Sequence, residues 1–149
     1  MRPLRPSPTT SRPLFLGLIL SAVLAGCSPT ATSPGVTVEP TYTSIRNKIF
    51  TKSCSTPSCH STEGFRGAMV LEADKAYDNL VSVPADNDGA KARHLLRVSP
   101  GQPDSSFLYI KLTHPAANEG SLMPYSGIPL DSQSISAIRT WIANGAKRD

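Results

Sequence analysis

The chain has 149 residues, with 15 Lys and Arg against 11 Asp and Glu and only 6% aromatic side chains, which bounds it to one small domain plus tails. Three of the arginines (Arg2, Arg5 and Arg12) fall in a leader. Removing them leaves 12 basic residues against 11 acidic ones, a net of +1, so the overall positive charge gives no argument for nucleic-acid binding, and no basic stretch suggests it.

Those arginines precede an apolar run from Leu14 to Leu24, broken only by Gly17 and Ser21. It is short for a membrane span and the right length for a secretory signal. It ends in LAGC, Leu24 to Cys27, which resembles the bacterial lipobox: small residues at Ala25 and Gly26, then a cysteine that accepts lipid. Residues 1–26 are therefore expected to be a lipoprotein signal peptide, with Cys27 the lipidation site. Several acyl chains on one residue anchor a protein to a membrane more stably than one. The expected location is the cell envelope, facing the periplasm or the exterior. Residues 28–43 are rich in Ser, Thr and Pro without apolar periodicity and read, with Cys27, as a tether. As a flexible coil they span roughly 20–24 Å.

The domain is expected over residues 44–149. Ser44 reads as the cap of a short helix with Ile45, Ile49 and Phe50 on one side, ending before Cys54. CSTPSCH follows, Cys54 to His60. Two cysteines with a histidine directly after the second is the pattern of covalent haem attachment. The thiols add across the haem vinyls and the imidazole coordinates the iron. The common spacing has two residues between the thiols; here Ser55 to Ser58 intervene, and Pro57 favours the turn this requires. Two other readings stay open on these residues. An exported cysteine pair can form a disulfide, and Cys54, Cys59 and His60 with His94 or His114 would make a four-ligand zinc set.

A second helix is expected from Asp74 to about Val81, then a polar loop at residues 84–89. Pro103 or Asp104 opens a third helix through Phe107, Leu108 and Ile110 to Leu112, stopped by Pro115. Next comes SLMPYSGIPL, Ser121 to Leu130, where Pro124 stiffens an extended loop able to aim one side chain, Met123. A His/Met haem needs such a downstream thioether, and Met123 is the candidate; Met69, in GAMVL, reads as core. Asp131 can cap a last helix with Ile135, Ile138, Trp141 and Ile142 facing inward, closed by Gly145. No alternating run supports a strand, so the expected class is all-α. Glu63, Glu72 and Asp74 read as solvated charges and His94 as a surface residue. His114 is the substitute for the distal position.

RVSPGQPDSSFLYIKL (Arg97 to Leu112), LMPYSGIPL and ISAIRTWIANGA (Ile135 to Ala146) together resemble the single-haem cytochrome c domains of planctomycete and myxobacterial proteins. The resemblance spans residues 44–146. It implies a cytochrome c-like helical domain with long loops wrapped around one haem c. Cys54 and Cys59 would be the thioether partners, His60 the proximal ligand and Met123 the distal one. The chain departs from the pattern in its four-residue spacer and in Tyr125, where a proline often follows Met-Pro. With both axial positions filled the iron has no open site, and no nucleophile triad, paired carboxylates or phosphate loop is present, so electron transfer between redox protein partners is expected rather than enzymatic catalysis. The alternative is a haem-free, disulfide-stapled lipoprotein used for binding or assembly at the envelope.

Overall fold

Thr41 starts the first helix: its hydroxyl accepts the backbone N–H of Ser44 at 3.2 Å. The expected cap, Ser44, instead accepts the N–H of Glu39 at 2.9 Å. The computed structural model describes residues 37–149 apart from Ser126. The leader, Cys27 and most of the tether therefore lie outside the described residues.

Helix α1 runs Tyr42–Ile45 and continues as a wide π-type helix over Arg46–Cys54. Tyr42, Ile45, Ile49 and Phe50 are buried, the three- and four-residue spacing of one inward face. Val38 and Tyr42 also join the core, so the packed domain starts before Ser44, inside the segment expected to be tether.

Helix α2 is Ala76–Leu80. The expected polar loop holds over residues 84–87, and helix α3, Asp88–Ala92, takes its last two residues. Asn87 caps it by accepting the Ala90 N–H at 3.1 Å, and Ala90 is buried. The expected third helix is two pieces, a 3-10 turn at Pro103–Ser105 and α4 at Phe107–Thr113. They part at Ser106, whose backbone is extended and whose buried hydroxyl accepts the Ser99 N–H at 2.9 Å.

Helix α5, Ser132–Ala143, matches its sequence signals closely. Asp131 accepts the Ser134 N–H at 2.7 Å, and Gly145 takes φ +94 just past the end. Ile138, Trp141 and Ile142 are buried; Ile135 is only half-buried, and Ser134 and Ala137 share the inward face instead. Each large apolar side chain enclosed in this way contributes about 1.5–3 kcal/mol.

Helices α1 and α5 meet through aromatic rings. Tyr42 lies 6.0 Å from Trp141 and 5.1 Å, edge-on, from Tyr77. The C-terminal tail then returns over α1: Trp141 Nε1 donates to the Lys147 carbonyl at 2.8 Å, and the Tyr42 N–H donates to Asp149 Oδ1 at 2.6 Å. Three isolated bridges, Val81 with Val98, Pro84 with Leu96 and Leu96 with Ser106, join the connecting segments. Among the described residues they build no sheet, and the fold is helical.

Candidate functional site

The π-type helix delivers Cys54 at its last turn. The Ser55 N–H reaches back five residues to the Phe50 carbonyl at 2.9 Å, and the Cys54 carbonyl then accepts the His60 N–H at 3.0 Å. That bond closes the loop holding both cysteines. Inside it the Cys59 N–H donates to Thr56 at 2.9 Å and the Ser61 hydroxyl donates to the Pro57 carbonyl at 3.2 Å. The four-residue spacer is thus a turn whose Thr56 and Pro57 carbonyls are bonded by residues that follow it.

Gly64 packs on this turn from outside. A Cβ there would stand 2.5 Å from the Cys59 carbonyl oxygen and 2.6 Å from that of Pro57, both rigid backbone atoms. Glu72, expected to be a solvated charge, staples the loop. It accepts the Thr62 N–H and hydroxyl, both at 2.7 Å, and Lys75 at 3.0 Å. Those donors, the Thr62 N–H foremost, hold its carboxyl down at about 2.

His60 is half-buried, and its Nδ1 lies 2.8 Å from the Arg66 carbonyl oxygen. A carbonyl only accepts, so Nδ1 carries the proton and Nε2 keeps its lone pair. Burial pushes the imidazole below its ordinary pKa, with the nearby Arg97 charge a lesser cause and the Arg66 carbonyl acting the other way. The ring is therefore neutral at pH 7, with one nitrogen oriented by backbone and the other available to a metal.

Cys54 is half-buried and packs against the main apolar cluster. Burial, then the neighbouring Cys59, pushes its thiol up to about 12, so it stays protonated. Such a thiol is a poor thiolate ligand. Neither cysteine is in a disulfide in this structure. Among the described residues no three His, Cys, Asp or Glu side chains converge as a metal site, so the zinc set of Cys54, Cys59, His60 and a distant histidine is not assembled. One imidazole with one thioether would not make such a group in any event.

Met123 is half-buried and packs against the same apolar cluster as Cys54, as does Met69. Its N–H donates to the Lys111 carbonyl at 2.8 Å, and the following peptide to Pro124 is cis. The Lys111 ammonium donates to the Glu119 carbonyl at 2.9 Å and also to that of Ser121, which holds the strand of loop entering Met123. Glu119 is fully enclosed; it accepts the Ala116 N–H at 2.8 Å and Arg93 at 2.6 Å. His114 and His94 are both exposed.

The structure brings Cys54, Cys59 and His60 into one bonded loop and gives Met123 the same apolar cluster as Cys54. These residues fit a haem of the His/Met type: a neutral imidazole with Nδ1 already committed, a protonated thiol against apolar surface, and a thioether on a braced loop. Among the described residues no helix is long and apolar enough to cross a membrane. Comparison with known proteins adds no relative: no family model, no curated protein and no solved structure matches the chain.

The sequence carries no signal for the Arg66 carbonyl, Arg97 or Glu119, because each acts through backbone partners or burial. Gly64 alone had a hint, a glycine four residues after His60.

Proposed function

We propose that this chain is a single-haem c-type cytochrome, anchored to a membrane through lipid on Cys27, that passes single electrons between redox protein partners outside the cytoplasm. Cys54 and Cys59 would hold haem c by thioether bonds, His60 Nε2 would take the proximal side of the iron and Met123 the distal side. The fold would then be of the cytochrome c type. Bound there, haem supplies an iron that gains and loses one electron.

The observation that carries this reading is the bond from His60 Nδ1 to the Arg66 carbonyl. It orients the imidazole and fixes which nitrogen is available, directly beside two cysteines on one loop. The half-buried Met123, on a loop tied to α4, supplies a thioether of the kind that raises a haem potential. With His60 and Met123 both holding the iron, exchange of electrons would be favoured over substrate chemistry.

A reduced-minus-oxidised absorbance spectrum of protein co-expressed with haem-maturation machinery tests the reading. Sharp bands of a low-spin c-type haem support it. A featureless spectrum from folded, processed protein leaves the disulfide-stapled envelope lipoprotein.

A further inference from the structure

Arg97 is buried, 9% exposed, yet makes no ion pair among the described residues. Its guanidinium is satisfied by backbone instead. One terminal nitrogen donates to the Asn79 carbonyl at 2.9 Å; the other donates to Ala68 at 3.0 Å and Gly67 at 3.3 Å. Enclosing a charge is costly unless its donors are met, and a planar fork suits carbonyls diverging from one turn.

That turn is the one His60 uses. The Arg66 carbonyl takes His60 Nδ1, and the next two carbonyls take Arg97. Its backbone is strained: Phe65 has φ 44 and Ala68 φ 50, left-handed values that side chains resist, with Gly67 at φ 64 between them. Such conformations persist only where surrounding contacts over-determine them. Gly67 also lies against the imidazole, where a Cβ would come within 4.0 Å of His60 Cε1.

We propose that Arg97 is a positioning residue for the haem ligand His60, clamping the strained turn 65–68 so that the Arg66 carbonyl stays on Nδ1. The inference rests on the cytochrome reading for its consequence, but the clamp concerns His60 itself. Without the fork the Gly67 and Ala68 carbonyls lose their donors, the turn relaxes and the imidazole loses its orientation. The guanidinium, with Asp86 as a nearby opposing charge but not as an ion-pair partner, also lies close enough to oppose added positive charge at the imidazole. With haem held by His60, that same charge would disfavour the ferric state.

The test is hydrogen exchange of the His60 Nδ1 proton, followed by NMR in the reduced full-length protein. Backbone amides of α5, such as that of Trp141, serve as the control for global opening. Arg97→Met should speed Nδ1 exchange roughly tenfold, the equivalent of losing about one hydrogen bond, with α5 unchanged. Arg97→Lys keeps the charge without the fork and should also speed exchange. Adding Ala68→Gly to Arg97→Met relieves the left-handed strain and should restore part of the protection. Nδ1 exchange unchanged in Arg97→Met, or faster only in step with α5, overturns the clamp. If Arg97→Met does not fold, Arg97→Lys decides, since full protection there overturns it as well. The proton is read on the histidine whether or not haem is attached. Absence of haem from the wild type therefore sinks the cytochrome reading, and unchanged exchange sinks the clamp.

Discussion

The backbone N–H of Met123 donates to the Lys111 carbonyl at 2.8 Å, fastening the loop that bears the thioether to the last turns of α4. Lys111 uses its ammonium on the same loop, so one residue braces it from both ends of its own structure.

If Met123 is the distal ligand, Met123→Ala should lower the reduction potential, abolish the weak red-edge absorbance of sulfur-to-iron charge transfer and let the reduced protein bind carbon monoxide. His114→Ala should change none of these, since His114 is exposed at the end of α4. Met69→Ala should cost about 2 kcal/mol of stability, the low end for a truncated Met because the side chain is only half-buried. A wild type without the band, in which His114→Ala but not Met123→Ala changes the potential and admits carbon monoxide, would assign the distal position to His114.

Gly64 gives a prediction about the cysteine loop. With the Cys59 and Pro57 carbonyls 2.5 and 2.6 Å from an added Cβ, Gly64→Ala must move backbone. The expected cost is about 1–3 kcal/mol by urea denaturation, with reduced haem loading. Gly101 is the comparison, because its Cβ would meet nothing within 4 Å, although its φ of +81 still strains a side chain. Wild-type stability and loading in Gly64→Ala would contradict the packing described.

Acid should loosen the Met123 loop through Glu119. The Ala116 N–H first, and Arg93 after it, hold this carboxyl below its ordinary pKa, while burial works against them. A carboxylate whose folded pKa is depressed adds stability above its unfolded pKa, near 4.3, and that contribution is lost as pH falls from there through the folded value. The Ala116 bond outweighs the ion pair because Arg93 is 51% exposed. Urea midpoints between pH 7 and pH 3 should fall for the wild type below about pH 4.5. Glu119→Gln should start lower at pH 7 and decline less. Parallel declines in both proteins would show that Glu119 is not the titrating support.

The anchor is tested separately. Cys27→Ser removes the thiol that accepts lipid and should release the protein from the membrane fraction or leave it uncleaved, with haem content unchanged. Continued membrane partitioning of Cys27→Ser would remove the anchor assignment.

Much of the helical frame was legible because its signals are local. Asp131, the Ile138–Trp141–Ile142 face and Gly145 each act within a few residues, and α5 matches them. The cysteines, His60 and Met123 stand out in the sequence as candidate ligands by residue type and spacing. What stayed hidden depends on contacts distant in sequence. Arg97 carries no local signal of its role, because the Gly67 and Ala68 carbonyls that meet its fork lie some thirty residues earlier. Glu119 likewise carries no local signal, because its burial and its bond from Arg93 arise from contacts made in the fold. The loop at residues 84–87 was legible, but the short helix α3 after it was not, since Asn87 shows itself as a cap only once Ala90 is buried. Thr41 displaced Ser44 as the first cap because Val38 and Tyr42 have core to join, a tertiary cause that overrides a local preference.

The central claim is covalent attachment at Cys54 and Cys59, and intact-mass measurement of matured protein after acid–acetone extraction tests it most directly. The account predicts that the polypeptide retains the mass of one haem through denaturation, and that Cys54→Ala and Cys59→Ala each leave a single linkage with a shifted reduced spectrum. A bare polypeptide, lighter by two hydrogens through a Cys54–Cys59 bridge, would contradict it.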